Sequence, residues 1–511
     1  MNVGMRYFFV LIFALFFCGN YSFAIEEIDE KDLFNAVEIK DGSILSVLDC
    51  VSSAFKNSPE IRRRKYNLDI AKSNVGIAKS QYFPVVSVGV GFYNENNSDN
   101  IYYNSHYREL PSVGLAINKL IWNFGKTTSY IKMEEFYQIG AEYEFIDSLC
   151  STLFDIKEKY YNLLRAEALL EITKHNIEIN EEFLKLANGK KKYDIKNAEL
   201  NLSDSKLKFI EAQNNYKNEK INLSNSMYLD NQPDFLIKDT LTFSLSNLSE
   251  IIDKYKNKNS IEFFEPKVFD FPVDNAVEIA YENSPDLKVL LSTKQAMEQA
   301  LSYIKKTYLP DLTLDAGYNY NNSNQTGNNS LNVGVNLISS VNVQELRYNI
   351  KSAQAQLNLA DNEIVQFKKE LYFNVKRAFN NVDKAQRQIP TAIMEVEQSL
   401  NALDIVKEQY LNDELNYIAL QSARQDYIKS LIDYVKSIYD YNIALIELEM
   451  ALHYHIVDIH HKSEHAIQYH FKELIDNLNA VLGCDEVEKT NSKNNKKKRN
   501  NKKNRKIIER I

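Results

Sequence analysis

Residues 417–452 have the sequence YIALQSARQDYIKSLIDYVKSIYDYNIALIELEMAL, and this stretch decides the fold. Its apolar side chains recur at steps of three and four residues, namely Tyr417, Leu420, Tyr427, Leu431, Tyr434, Ile438, Tyr441, Leu445, Leu448 and Leu452. Arg424 fills the one gap in this heptad seam. A sustained heptad repeat predicts that a long helix packs against a neighbouring helix as in a coiled coil.

The helical run that contains this seam begins upstream, near Val343. Residues 343–452 contain no glycine and one proline, Pro390; as one straight helix they would span roughly 165 Å. A second apolar stripe consists of Ile393, Val396, Leu400, Leu403, Val406 and Tyr410. Residues 412–416 separate the stripes, and their Asn and Asp tolerate the left-handed backbone of a turn. The pattern predicts an antiparallel helical hairpin; the alternative interpretation is the core of a globular all-α protein.

Charge and cysteine content narrow the class of protein. The 511 residues include 61 Lys and Arg against 69 Asp and Glu. Many of the basic residues lie between Lys493 and the C-terminus, so the rest of the chain has a clear excess of acidic residues. This acidic charge argues against nucleic acid as a partner of the body of the protein. Beyond the leader the cysteines are Cys50, Cys150 and Cys484, an odd and scattered set that predicts no disulfide framework.

The N-terminus has the features of a secretory signal peptide over residues 1–24. Arg6 precedes an apolar stretch, and Ser22-Phe23-Ala24 offers a small-residue cleavage site. No later run reaches the roughly 18 apolar residues that a membrane-spanning helix needs. The sequence therefore predicts export without a helical membrane anchor.

Two motifs recur at one offset. Residues 54–61, AFKNSPEI, are echoed by residues 280–287, AYENSPDL, which begin 226 positions later. Tyr82-Phe83-Pro84 is echoed by Tyr308-Leu309-Pro310 at the same offset. Two motifs that share an offset predict two structural copies, in each of which Asn-Ser-Pro opens a helix.

Each copy continues into two stretches of alternating residues, which predict strands at 84–94, 111–122, 310–321 and 330–341. One face of these strands is apolar. The other is small and polar, and its candidate lumen-facing residues are Asn118, Asp315, Asn319, Asn332 and Asn336. A soluble sandwich shows the same alternation, but four strands are too few for two packed sheets. Four strands are also too few to close a membrane barrel, so several protomers would have to share one.

These motifs in duplicate, together with residues 120–126 after a strand and Asp194-Ile195 past a hairpin turn, resemble the TolC-type outer-membrane efflux proteins over about residues 44–452. The resemblance implies an α+β membrane protein that forms a homotrimer. Each protomer would give four strands to a twelve-stranded transmembrane β-barrel in contact with outer-membrane lipid. A long periplasmic α-helical, coiled-coil barrel would continue it.

The resemblance also implies a domain plan and a function. The signal peptide (1–24) and an extension (25–43) precede a first repeat (44–230, with its hairpin at 126–229), an equatorial segment (231–272), a second repeat (273–452, with its hairpin at 343–452) and a disordered tail (453–511). The expected function is the outer-membrane exit duct of a tripartite pump or a type I secretion system. Its partners would be a periplasmic adaptor protein and an inner-membrane transporter of the RND or ABC type.

Candidate site residues follow from matching the hairpins. Asp194 and Tyr410 fall where the family places entrance partners, and Asp413 and Glu414 lie beside them. The tips that would contact the adaptor are Asn188, Gly189, Asn412 and Asp413. Residues 419–422 replace the stretch that can supply an aspartate ring, and Leu415 stands at the basic partner position. These departures argue against a charged cation-binding constriction at the entrance.

Two other features have competing interpretations. The His-rich segment after the second hairpin offers His453, His455, His460 and His461 as weak metal-ligand candidates, but a polar surface tail is the favoured interpretation. The sequence contains no nucleophile elbow, phosphate loop or Cys-x-x-Cys pair, so neither enzymatic activity nor a cofactor is expected. The alternative function is a structural or adhesive trimeric coiled coil anchored in the outer membrane.

Overall fold

The computed structural model describes residues 39–94, 109–229, 233–238, 273–323 and 326–453, all of which belong to one compact unit, Ile39–His460. In chain order its elements are β1 (Ile44–Leu45), α1 (Val47–Asn57), α2 (Pro59–Ser80), β2 (Val85–Asn94), β3 (Glu109–Trp122), α3 (Lys126–Ala187), α4 (Lys192–Ser226), β4 (Leu236–Ile237), α5 (Val273–Asn283), α6 (Pro285–Lys306), β5 (Asp311–Ser323), β6 (Thr326–Ile338), α7 (Val343–Leu411) and α8 (Tyr417–Leu452). The predicted signal peptide, residues 239–272 of the equatorial segment and the tail beyond His453 lie outside the described residues.

The two sequence copies fold in the same way where the motifs recur. Ser58 and Ser284 are both helix N-caps, and their hydroxyls accept from the backbone N–H of Ile61 and of Leu287, each at 3.3 Å. In both copies a proline follows the cap at the first helical position, where its missing N–H costs nothing. The flanking helices have equal lengths, 11 residues before the cap and 22 after it. The repeat at an offset of 226 is therefore structural.

Two long helices form the body of the protein. The 62 residues of α3 and the 69 residues of α7 span roughly 90 and 100 Å. Helices α2 and α4 both pack along α3, while α6 and α8 both pack along α7, and α3 also contacts α6 and α8. Pro390 lies inside α7 without ending it. In the part of the chain that the structure covers, no helix combines the length and apolar character needed to cross a membrane.

The predicted heptad seam of α8 is buried except at Tyr441 and Leu445, which are half-buried. Tyr417, Leu420, Leu431 and Tyr434 are each at most 1 % exposed, and Arg424 in the gap is 5 % exposed. Asn416 caps the helix by accepting from the backbone N–H of Ala419 at 3.0 Å. Helices α7 and α8 cover residues 343–411 and 417–452 and pack against each other as a hairpin. The sheet described next excludes the all-α alternative.

The four long strands form one antiparallel sheet in the order β2-β3-β5-β6, so β2 and β6 are its edges. Strand β3 pairs with β5 across the two copies, for instance Asn118 with Asp315, and shifts register between Leu120 and Trp122. Strands β1 and β4 form a separate parallel pair, Ile44 with Leu236. The described strands therefore make one open sheet and not a sandwich.

The strand ends differ from the prediction in the second copy. The predicted strands 310–321 and 330–341 left residues 322–329 unpaired, but β5 and β6 stay paired as far as Ser323 and Thr326, and β6 ends at Ile338. Backbone hydrogen bonds hold a hairpin whatever its side chains, so the asparagine-rich stretch extends the ladder.

The strand-to-helix turn after β3 uses two left-handed residues, Phe124 (φ 56°) and Gly125 (φ 79°).

Candidate functional site

The two helical hairpins end in exposed turns. Asn188 and Gly189 close the first turn, where Gly189 has a φ of 96°, and Asp413 has a φ of 60° in the second. Left-handed backbone suits glycine and tolerates aspartate, which explains both choices. Asn412 ends α7 and donates its N–H to Glu408 O, and the exposed Glu414 donates its N–H to Gln409 O.

A lysine that the sequence analysis did not select joins the two tips. The Nζ of Lys190 donates to the carboxylate of Asp413 and, at 3.3 Å, to the carbonyl oxygen of Leu411. The same ammonium lies 5.6 Å from the ring centroid of Tyr410. Lys190 therefore makes three contacts with the opposite hairpin of the same chain. Its position directly after the Asn-Gly turn was the only signal in the sequence.

Tyr410 is buried directly beneath the exposed turns. It is 2 % exposed and packs edge to face on Tyr417, with 6.0 Å between ring centroids. Burial, helped by the negative charges of Asp194 and Asp413, raises the pKa of Tyr410 to about 12, so its hydroxyl stays protonated. Among the described residues that hydroxyl has no hydrogen-bond partner. The structure thus brings Asp194 and Tyr410 together electrostatically without a hydrogen bond between them.

Behind Tyr417 lies a second polar contact between the hairpins. Asn201 donates to the Tyr417 hydroxyl at 3.3 Å and accepts from Gln421 Nε2 at 2.8 Å. Asn201 belongs to α4, whereas Tyr417 and Gln421 belong to α8. Because Asn201 is 7 % exposed, these bonds form away from most solvent and link α8 to α4.

A buried arginine lies one to two helical turns further from the tip. Arg424 donates from Nη1 to Asn176 Oδ1 at 2.7 Å, and Asn180 donates to the backbone oxygen of Asn176 at 2.7 Å. Burial lowers the pKa of Arg424, since charge is disfavoured away from water. A buried polar residue in a heptad seam fixes the register of the packed helices. Its signal in the sequence was the gap that Arg424 makes in the apolar pattern.

The candidate lumen residues share one face of the sheet. Asn118, Asp315 and Gly334 lie opposite one another in the register. Residues at even spacing from them point the same way, so this face carries Asn118, Asp315, Asn319, Asn332 and Asn336. The other face is apolar and uncovered within one chain: Val88 is 70 % and Val333 is 68 % exposed.

Asp315 lies on that polar face, five residues into β5 and so nearer the helical end of the strand. One carboxylate oxygen accepts from Asn118 Nδ2, and the other accepts from Asn336 Nδ2 at 2.6 Å and from Thr313 Oγ1 at 3.0 Å. The donors come from three adjacent strands, β3, β5 and β6. They are all uncharged, so they hold the carboxylate in place and leave its charge uncancelled.

The metal-ligand candidates are only partly described. His453 ends α8 with a left-handed φ of 46°, and burial lowers the pKa of its imidazole. His455, His460 and His461 lie outside the described residues. Within the described ranges no group of three or more His, Cys, Asp or Glu side chains could hold a metal ion.

An open antiparallel sheet with an uncovered apolar face, continued by two helical hairpins of this length, is the architecture of a tunnel-type outer-membrane protein. Residues 50–227 and 276–452 both match the family model of the outer membrane efflux proteins. The matches begin at the offset found between the sequence motifs, 276 against 50. The chain belongs to the outer membrane efflux protein family and is an outer-membrane protein.

Solved structures show the same fold at low identity. The Campylobacter jejuni outer membrane channel CmeC is 16 % identical, with a TM-score of 0.67 over 82 % of this chain and 90 % of that chain. CusC is 13 % identical, with a TM-score of 0.67 over 82 % and 95 % of the two chains. The open state of the Neisseria gonorrhoeae MtrE channel is 12 % identical, with a TM-score of 0.64 over 83 % and 94 %. A comparison with curated protein sequences gave no match.

Proposed function

We propose that three copies of this chain close one twelve-stranded barrel and serve as an outer-membrane exit duct. The observation that carries this proposal is the open sheet, whose apolar face is exposed and whose edge strands β2 and β6 lack a neighbour in the described chain. Lipid tolerates neither free strand edges nor unpaired backbone groups. When the β2 edge of one protomer pairs with the β6 edge of the next, no strand edge stays free and the backbone groups of both edges are hydrogen-bonded.

The directions of the edge strands support this closure. Each of the three pairings in the sheet is antiparallel, so β2 and β6 run in opposite directions. A copy placed beside β6 with its own β2 therefore continues the antiparallel alternation. An even strand number and a polar interior are typical of outer-membrane barrels. The apolar face, which includes Val88 and Val333, would then contact lipid.

The helical part would cross the periplasm as a second barrel. Its long helices reach roughly 100 Å, and the exposed turns at Asn188, Gly189, Asn412 and Asp413 lie at the end away from the sheet. We propose that these tips receive a periplasmic adaptor. An inner-membrane transporter of the RND or ABC type would supply energy, as in tripartite efflux or type I secretion. The chain itself would be a passive conduit without a catalytic group or cofactor.

The contacts between the two hairpins at and beneath the tips would form the closed periplasmic entrance. Tyr410 packs on Tyr417, Lys190 holds Asp413, and Asp194 lies close enough to raise the pKa of Tyr410. Glu414 is exposed beside them. Opening the duct would require these contacts to break, so their removal should favour the open state.

Single-channel recording tests the conduit. Purified trimer in a planar lipid bilayer should carry current, and Tyr410→Ala should raise the time spent in high-conductance states. Tyr193→Ala is a matched control, because Tyr193 lies near the same tip but is 63 % exposed. An oligomer other than a trimer in native mass spectrometry would contradict the shared barrel. A trimer that carries no current in either variant would favour the adhesive coiled-coil alternative.

A further inference from the structure

We propose that Asp315 makes the barrel end of the duct selective for cations. This inference rests on the proposed trimeric duct. Residues 419–422, near the tip of the second hairpin, are Ala-Leu-Gln-Ser and carry no charge. The sheet offers a different carboxylate, at the level where the barrel meets the helices.

On the polar face of the described strands, the Asp315 carboxylate is the charge that no cationic side chain neutralises. The other carboxylate on this face, Asp311, pairs with Lys126, whose Nζ lies 2.6 Å from Asp311 Oδ1. The lysine within the described strands, Lys119, pairs in register with Leu314 and so belongs to the apolar face. Along the described strands no cationic side chain therefore stands beside Asp315.

The hydrogen bonds around Asp315 fix the carboxylate at the wall. Donors from Asn118, Thr313 and Asn336 occupy both oxygens from three strands. Neutral donors orient a carboxylate and stabilise its ionised form, but they do not neutralise it as a lysine or arginine would. A side chain held in this way presents its charge at one level of the strand, and in a trimer three such charges form a ring.

The size of a twelve-stranded barrel lets that ring act on passing ions. Strands about 4.8 Å apart and tilted by about 40° give a backbone radius of about 12 Å. An inward aspartate carboxylate would then lie about 8 Å from the axis. The screening length is about 10 Å at 0.1 M salt and about 30 Å at 0.01 M, so the charge reaches the axis. We expect Asp315 to change the cation-to-anion permeability ratio by about three- to tenfold at 0.1 M salt.

Reversal potentials in a KCl gradient test the inference. The Tyr410→Ala trimer, which provides measurable current, would be compared with two proteins that carry an additional substitution at Asp315. Asp315→Asn removes the charge with little change of shape and should lower the K⁺-to-Cl⁻ permeability ratio about three- to tenfold. Asp315→Glu keeps the charge and should preserve most of the selectivity.

The outcomes separate this inference from the proposed duct. If current flows and Asp315→Asn leaves the permeability ratio unchanged, Asp315 only fastens neighbouring strands and the inference is overturned while the duct stands. If no variant carries current, the duct fails and the inference fails with it. Wild-type selectivity provides a measurement that needs no variant at Asp315. It should rise as salt falls from about 0.1 M to 0.01 M, and a channel that is unselective or anion-selective at low salt would overturn the inference.

Discussion

Replacing Lys190 by alanine is expected to open the duct more often. In the wild type, its ammonium donates to the Asp413 carboxylate and, at 3.3 Å, to Leu411 O, and it lies 5.6 Å from the Tyr410 ring centroid. Alanine removes these three contacts, which all cross from the first hairpin to the second. Lys190→Met removes the charge and keeps most of the aliphatic stem, so it separates electrostatics from packing.

The contacts set the expected magnitude. The ion pair contributes about 0.2–1 kcal/mol, since the Asp413 side chain is 78 % exposed. The cation–π contact with the Tyr410 ring contributes about 0.5–1 kcal/mol, the range for such contacts near the protein surface. If three protomers open together, the loss is roughly 2–6 kcal/mol for the trimer, which shifts the ratio of open to closed channels at least about thirtyfold.

Open probability in planar bilayers measures this shift. Lys196→Ala is the matched control, because Lys196 pairs with Glu199 on its own helix at 2.7 Å and makes no described contact with the second hairpin. The reasoning is refuted if Lys190→Ala stays within about twofold of the wild type while Tyr410→Ala opens the channel. In that case the two hairpins of a protomer move as one body, and the contact between them does not hold the entrance shut.

Three further predictions concern stability. Ser58→Ala and Ser284→Ala should each lower the free energy of unfolding by about 1 kcal/mol, because each removes a buried N-cap acceptor. Chemical denaturation should give equal losses for the two variants, since the two caps have equal geometry, and a large difference between them would contradict this reasoning. Asn176→Ala leaves the Arg424 guanidinium without its acceptor and should cost about 2–4 kcal/mol, more than Arg424→Met, when melting is followed by circular dichroism. Burial raises the pKa of Asp147 from 3.8 to about 6, so its contribution to stability is full below about pH 4 and is lost as the pH rises through 6. Asp147→Asn should therefore flatten the melting temperature between pH 4 and 6, and an unchanged slope would show that another group titrates there.

Part of the candidate site could be predicted before the structure was known. Tyr410 and Asp194 were selected because the family resemblance places entrance partners there. The turns Asn-Gly and Asn-Asp-Glu-Leu-Asn put both residues near the ends of the hairpins. The lumen-facing asparagines and Asp315 could be assigned to one face because side chains alternate along a strand. By contrast, Lys190 and Asn176 could not be selected, since an isolated lysine or asparagine on a long helix looks like any solvated position.

By itself, the sequence determined the helices, the strands and their repetition, because heptad spacing, alternation and Ser-Pro caps act over a few residues. The tertiary structure decided which distant residues meet. The bond from Arg424 to Asn176 spans 248 positions, and the one from Lys190 to Asp413 spans 223. The tertiary structure also decided the strand order β2-β3-β5-β6, in which β3 of the first copy pairs with β5 of the second and Asn118 lies opposite Asp315. Such contacts depend on how two rigid hairpins and a sheet pack together, and local periodicity carries no information about that packing.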